Sequence, residues 1–179
     1  DCGIKPDVYS FGPILQLCAA RGEVEDAERL MNLAEDEDLP ISTLMASSLV
    51  LAHINNDDLI AAERTAETAL KKHRAGKLTG ALTPIWNMLL TAYALRRDIS
   101  SVQRLYKRMD KLKIPTDGLT YSALMQVLSL RRRTDAAYKV LTTIMPSHKV
   151  KANAFHYAII LAGYANEGNV ERALGVERQ

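Results

Sequence analysis

The chain has 179 residues, 47% of them hydrophobic and 25% charged, and a formal net charge of +2 at pH 7. These values are ordinary for a folded protein, and the low aromatic content of 6% disfavours a β-sandwich with frequent turns. Cys2 and Cys18 are too few for a disulfide framework or a zinc site, and the absence of an apolar run of eighteen residues predicts no membrane span.

One apolar pattern recurs along the chain at intervals of 35, 40, 35 and 36 residues. Three anchor positions follow this series: the first residue of each apolar run, the residue four later, and a small residue further on. The anchors are Phe11, Ala46, Trp86, Tyr121 and Tyr157; Leu15, Val50, Leu90, Met125 and Leu161; and Ala27, Ala62, Val102, Ala137 and Ala173. Agreement of three anchors in phase predicts a repeat architecture.

Each repeat has the pattern of two amphipathic helices joined by a short turn. In the third repeat the apolar residues of residues 86–94 recur at helical spacing, and a second helical pattern over residues 99–109 follows Arg96, Arg97 and Asp98. Gly22 and Gly168 stand at the equivalent breaks of the first and fifth repeats, where a left-handed residue can end a helix.

Proline marks the joints between repeats. Pro6 lies in the segment 3–7 and Pro115 in the segment 113–117, and each is followed by an aspartate placed to begin the next helix. The units predicted are residues 8–42, 43–82, 83–117, 118–153 and 154–179, the last one truncated. About five extra residues explain the 40-residue interval, and we expect an extended loop near residues 71–80.

A hairpin of this size cannot bury its apolar face alone, so neighbouring hairpins must stack. The predicted fold is therefore all-α, a right-handed α-solenoid of helix-turn-helix repeats forming a single domain. Because the chain starts without Met and ends within a helical pattern, we expect it to be a piece of a longer protein.

The repeat resembles the pentatricopeptide repeat. The match is clearest in residues 3–11 and 19–28 of the first unit, in the third unit, and in residues 164–173 of the fifth. The tetratricopeptide repeat is the near alternative, but its period of about 34 residues fits less well. The resemblance implies an α-solenoid that binds single-stranded RNA at one base per repeat.

The resemblance also implies which residues would read the bases. In the third unit the reading pair is Asn87 and Asp117, similar to the uracil-preferring pair of the family. In the fourth unit it is Ser122 and Asn153, similar to the adenine-preferring pair. Bases would be clamped by the apolar residues that precede the aromatic by two positions. These are Pro84, Leu119 and Phe155, and the implied reading is 5′-UA-3′.

Charge is distributed unevenly. Residues 1–60 contain twelve acidic and three basic side chains, whereas residues 61–151 contain six acidic and eighteen basic ones. Basic turns are candidates for phosphate contacts, namely Arg96, Arg97, Arg131, Arg132 and Arg133. The family's phosphate-binding lysine has no basic counterpart here, which leaves open a protein scaffold whose acidic first third docks a basic partner.

We find no catalytic, metal or cofactor motif in the sequence, so we expect no enzyme activity and no cofactor. The four histidines, at 53, 73, 148 and 156, have no metal-ligand spacing. The favoured function is an RNA-binding segment of an organellar RNA processing, stability or translation factor. The alternative is an adaptor docked on a mitochondrial ribosome or another large assembly. The irregular repeats resemble mitochondrial members of the family more than chloroplast ones.

Overall fold

The computed structural model describes residues 8–176, with side chains described from Phe11 onwards. The helix stop expected at Pro6 and the thiol of Cys2 lie outside this range. Helices account for most of the described chain, and two short strands accompany them. In chain order the elements are α1 (Val8–Arg21), α2 (Val24–Asp36), β1 (Ile41–Ser42), α3 (Thr43–Asn55), α4 (Leu59–Arg74), β2 (Leu78–Thr79), α5 (Thr83–Leu95), α6 (Ile99–Leu112), α7 (Gly118–Leu130), α8 (Thr134–Lys139), α9 (Met145–Ser147), α10 (Ala154–Glu167) and α11 (Val170–Val176).

The chain divides between Leu89 and Leu90, within α5, into two compact units. In the amino-terminal unit, α1 packs against α2 and α3, and α3 packs against α4. Leu15 and Val50, which the repeat pattern marks as equivalent anchors, are both fully buried there. The amino-terminal unit is thus built from helical hairpins stacked through their first helices, as the periodicity predicts.

In the carboxy-terminal unit, α7 packs against α6, α8 and α10, and α10 packs against α11. Tyr121, Met125 and Tyr164 are buried in its core. The anchor Tyr157 is different, because 39% of its surface is exposed. Within α10 the core contacts come instead from Ile160 and Tyr164, which lie on the face turned to the neighbouring helices.

Every turn between the two helices of a hairpin contains one left-handed residue at the same place. These residues are Gly22, Asp57, Arg97, Arg132 and Gly168, with φ angles of 57° to 76°. The left-handed glycines predicted at positions 22 and 168 are therefore confirmed. At the other three turns a side chain occupies a conformation that costs about 1 kcal/mol relative to glycine.

The insertion near residues 71–80 is not an extended loop throughout, and our expectation was wrong for its first four residues. Helix α4 continues to Arg74, and basic residues fill its last turn, where they interact favourably with the helix dipole. Gly76, with φ +71°, then redirects the chain. Leu78 and Thr79 then form β2, which pairs in parallel with β1 through Ile41 opposite Leu78.

A π-helical turn, Val140–Ile144, separates α8 from α9. A π-turn adds one residue to a helix without changing which face its flanking residues occupy. The interval between Ala137 and Ala173 is 36 residues rather than 35, and this turn lies within it. The π-turn is therefore where the fourth repeat accommodates its extra residue.

Candidate nucleic-acid interface

The last residue of several repeats is also the amino-terminal cap of the next helix. Asp117 accepts a hydrogen bond from Thr120 N at 3.0 Å, and Asn153 accepts one from His156 N at 3.2 Å. Each cap is a reciprocal capping box, since the backbone N–H of Asp117 and Asn153 bonds back to Thr120 Oγ1 and His156 Nδ1. Helix capping by itself thus accounts for an Asp or Asn at these positions.

The amino-terminal ends of α7 and α10 are joined directly. His156 is buried, and its Nε2 lies 2.9 Å from the carbonyl oxygen of Gly118. The same carbonyl accepts a hydrogen bond from Ser122 Oγ at 3.0 Å. The structure therefore brings together Ser122 and Asn153, the predicted reading pair of the fourth repeat, through one chain of hydrogen bonds within the carboxy-terminal unit.

Two exposed apolar side chains flank this junction. Leu119 follows Gly118 and is 62% exposed, and Phe155 precedes His156 and is 56% exposed. Single exposed apolar side chains are common on protein surfaces, so these two point to a binding surface only through their place beside the polar pair. In the amino-terminal unit, Pro84 and Leu44 hold the equivalent second position of α5 and α3 and are also exposed. Sequence analysis missed Leu44, although it too stands two residues before an anchor, Ala46.

The predicted base-reading side chains Asn87 and Ser122 are themselves mostly buried. Only 5% of Asn87 and 6% of Ser122 is exposed, whereas Asn153 is exposed and Asp117 half-buried. Ser122 and Asn87 therefore offer little surface to a ligand in this conformation. Asn87 lies in the amino-terminal unit and Asp117 in the carboxy-terminal unit, so the distance between these two predicted reading residues is not part of the description.

The arginine turns follow the first helices of the third and fourth repeats. Arg96, Arg97, Arg131, Arg132 and Arg133 are all exposed. Arg131 lies nine residues beyond Ser122 along α7, about 14 Å at the rise of an α-helix. Asp98 follows the first turn and caps α6, and hydrogen bonds from the side chain and backbone N–H of Ser101 lower the pKa of its carboxyl.

A second polar network lies between α8, α10 and α11. Tyr164 donates a hydrogen bond to Asp135 Oδ1 at 2.9 Å, and Arg172 forms an ion pair with the same oxygen. Burial raises the pKa of the Tyr164 phenol, and the Asp135 carboxylate adds to this shift. The network links hairpins rather than presenting a free acid or base, so it is a packing feature.

Within residues 8–176, no group of three or more His, Cys, Asp or Glu side chains is arranged to hold a metal ion. His53 and His156 are buried, whereas His73 is half-buried and His148 exposed. No described helix is both long and apolar enough to cross a membrane.

Comparison with known proteins identifies the repeat. A family model described as PPR repeat matches residues 84–114. A pentatricopeptide repeat-containing protein of Arabidopsis thaliana is 24% identical over 174 residues, which cover 97% of this chain and 31% of that protein. The chain thus contains a pentatricopeptide repeat at residues 84–114, and over nearly its whole length it is similar to pentatricopeptide repeat proteins. It spans about 30% of the length of two curated pentatricopeptide repeat proteins that match nearly the whole chain.

Solved pentatricopeptide repeat structures confirm the predicted all-α solenoid of helical hairpins. The protein PPR10 in complex with an 18-nt psaJ RNA element aligns with a TM-score of 0.54 at 19% identity, covering 98% of this chain and 30% of that one. The PPR domain of Arabidopsis thaliana protein-only RNase P 1 in complex with tRNA aligns with a TM-score of 0.63 at 16% identity. The alignment covers 93% of this chain and 84% of that one.

Proposed function

We propose that this pentatricopeptide repeat chain is a single-stranded RNA-binding segment of an organellar RNA processing, stability or translation factor. The observation that carries the proposal is the junction of α7 and α10, where exposed Leu119 and Phe155 flank the polar pair Ser122 and Asn153. Stacking surfaces beside hydrogen-bonding groups are what recognition of an unpaired base requires.

In the fourth repeat, a base would be held between Leu119 and Phe155 while Ser122 and Asn153 contact its edge. The family resemblance makes that base adenine. The same resemblance makes Asn87 and Asp117 a uracil-reading pair, which gives the proposed sequence 5′-UA-3′. Each stacked base contributes about 1–3 kcal/mol, so two decodable repeats support weak binding with limited sequence specificity.

The arginine turns are the proposed phosphate contacts. Arg97 and Arg132 keep a charged side chain at a left-handed position where Gly22 and Gly168 stand in other repeats. Asp57 holds the same conformation at the equivalent turn of the second repeat, so the phosphate proposal depends on the exposure and positive charge of the arginines. Their cationic groups would neutralise backbone phosphates irrespective of sequence.

Binding of the full chain to fluorescent single-stranded RNAs tests the proposal. We expect an oligonucleotide containing UA to bind more tightly than one in which both bases are changed, and added salt to weaken both. Replacing Asn87 and Asp117 together by alanine should remove the preference for uracil. RNA binding that is undetectable even at low salt would refute the proposal.

A matched pair of serine variants separates base reading from packing. Ser122 and Ser48 are both buried, and each donates a hydrogen bond to the carbonyl four residues earlier, Gly118 and Leu44. Ser122→Ala should weaken binding of UA-containing RNA, whereas Ser48→Ala should leave it unchanged. Equal effects of both variants would mean that Ser122 acts only through folding.

The adaptor function is supported by a different surface. A cleft of about 370 Å³ lies between α2 and α4, and the ion pair of Lys72 with Glu35 spans it. Glu28 and Arg64 also line the cleft, over a floor that includes Met31 and other apolar residues. Retention of organellar ribosomal proteins by the full chain, abolished by reversing Glu28 to lysine, would favour an adaptor over RNA recognition.

The proposed compartment is an organelle. Matching pentatricopeptide repeat proteins of Arabidopsis thaliana include one named mitochondrial and another named chloroplastic. The sequence-based preference for the mitochondrion therefore stays a prediction. Imaging the tagged full-length protein against markers for both organelles tests it, and a purely cytosolic signal would contradict an organellar role.

A further inference from the structure

We infer that His156 is a positioning residue that sets base preference in the fourth repeat, an inference that rests on the proposed RNA-binding function. Only 1% of its surface is exposed, so its ring cannot be a ligand contact itself. It acts instead as a strut between the amino-terminal ends of α7 and α10, and these ends carry the two halves of the proposed base slot.

The partners of the ring decide which of its nitrogens carries the proton. Nδ1 accepts a hydrogen bond from the backbone N–H of Asn153 at 3.1 Å. Nε2 lies 2.9 Å from Gly118 O, which is an acceptor only, so the proton belongs on Nε2. A neutral imidazole with this single tautomer satisfies both partners, and the side chain is held at both ends.

The strut fixes the spacing between the two reading side chains. One end of it meets Gly118 O, to which Ser122 Oγ is also bonded at 3.0 Å. At the other end of the strut, Nδ1 of the ring accepts from the backbone N–H of Asn153. The side-chain Oδ1 of Asn153 in turn accepts from His156 N at 3.2 Å. The amide nitrogen of Asn153 and the second lone pair of its Oδ1 remain for a ligand, at a distance from Ser122 that the imidazole determines.

The same strut spaces the apolar side chains, because Leu119 adjoins Gly118 and Phe155 adjoins His156. Recognition of a base edge requires donors and acceptors held within about 0.5 Å of their productive positions. The contact is also tight from the other side, since a Cβ at Gly118 would lie 3.2 Å from His156 Cε1. Base preference should therefore respond to a change at either end of the strut.

The preceding repeat suggests a variant that removes only the strut. Its capping box uses Thr120, whose Oγ1 accepts from Asp117 N at 3.1 Å. His156→Thr should preserve the cap of α10 by the same geometry, but its side chain is too short to reach Gly118. His53→Thr is the matched control, because His53 is also buried in a first helix but lies in the amino-terminal unit.

The experiment compares the affinities of the full chain for four single-stranded RNAs that differ only in the base proposed for the fourth repeat. We expect His156→Thr to reduce the ratio of affinities for the preferred and the other bases at least about fivefold. A reduction of this size corresponds to losing one well-placed set of hydrogen bonds to a base edge. His53→Thr should leave the preference intact, and Gly118→Ala should reduce it with the imidazole still present.

The outcomes separate this inference from the proposed function. Wild-type chain that binds no RNA overturns both. If the wild-type chain binds RNA with a base preference and His156→Thr keeps that preference, only the inference about His156 is overturned. Should His156→Thr fail to fold, the nitrogen chemical shifts of the wild-type imidazole decide the geometry without any variant. A proton on Nε2 alone supports the strut, and a proton on Nδ1 refutes it.

Discussion

Neighbouring hairpins are held together differently in the two units. Among the described side chains of the amino-terminal unit, Asn55 Nδ2 of α3 donates a hydrogen bond to Ala19 O of α1 at 2.7 Å. In the carboxy-terminal unit, α10 is fastened at both of its ends. His156 bonds to α7 at the amino-terminal end, and Glu167 bonds to the start of α8 at the other end.

The difference teaches that one repeat pattern supports two kinds of helix contact. The described amino-terminal contacts combine apolar packing with the Asn55 hydrogen bond and a buried His53, whose Nε2 lies 3.7 Å from Glu28 Oε1. The carboxy-terminal contacts add an imidazole bonded to a carbonyl of the neighbouring first helix, a carboxylate that caps a helix of the neighbouring hairpin, and a glycine at close approach. Because the polar groups there are specific and partly buried, substitutions should cost more stability in the carboxy-terminal unit than at matched positions in the amino-terminal unit.

The largest effect is expected at Gly163 of α10. A Cβ there would lie 2.6 Å from Thr134 Oγ1 and 2.9 Å from Ser129 Oγ, too close for either to remain in place. Gly163→Ala should lower the free energy of unfolding by about 1–3 kcal/mol through overpacking. Gly12→Ala is the control in α1, where a Cβ would meet nothing within 4 Å. Urea denaturation measures both, and equal midpoints would refute the close contact.

A smaller loss is expected when the helix contacts are cut. Glu167 Oε1 accepts from Thr134 N at 3.0 Å and from Thr134 Oγ1 at 2.5 Å, capping α8 from another hairpin. Glu167→Ala should cost about 1–2 kcal/mol of unfolding free energy, and Asn55→Ala about 1 kcal/mol or less. If thermal unfolding shows Asn55→Ala to be the more damaging variant, the contrast between the units is wrong.

A gain of stability is expected at the left-handed turns. Arg132→Gly should raise the free energy of unfolding by up to about 1 kcal/mol, because glycine adopts φ near 57° without a steric cost. The same variant should weaken RNA binding and reduce its salt dependence. Asp57→Gly, at the equivalent turn of the amino-terminal unit, is the control and should not weaken RNA binding. Weaker binding by both variants would argue against a phosphate contact.

The smallest effect is expected from deleting Thr142. This exposed residue lies in the π-turn, and its removal should convert Val140–Ile144 into α-helix while α8 and α9 keep their buried faces. Deleting Lys107 from the regular helix α6 should instead rotate the following turn by about 100° and unseat Met109 from the core. Comparable melting temperatures for the two deletions would show that the π-turn does not hold the extra residue.

Much of the fold follows from local sequence, and the third repeat shows why. Trp86, Leu90 and Tyr93 recur at helical spacing, and all are buried. Apolar residues spaced three or four positions apart mark the helix face that turns to the core. This spacing is visible within one segment, so the face can be predicted without knowing which helices pack against it. The left-handed turns at Gly22 and Gly168 and the cap at Asp117 are local in the same sense.

The candidate site could be predicted only in part. Leu119, Phe155 and Asn153 are exposed, and their roles toward a base stay predictions. The burial of Ser122 and Asn87 could not be foreseen, because it depends on how closely adjacent helices approach. The prediction for the end of α4 was wrong for a related reason. A run of basic residues such as Lys71–Arg74 is typical of a loop, but here it forms the last turn of a helix that packs against α3.

The sequence by itself determined the number and phase of the helical patterns, the turn glycines and the helix caps, since each depends on residues a few positions apart. Only the tertiary structure decided the contacts between residues some 30 to 40 positions apart. These are the bond of His156 to Gly118, the cap of α8 by Glu167, and the approach of Gly163 to Thr134. Hydrogen bonds and close packing act over a few ångströms in space, and separation along the chain does not encode that distance.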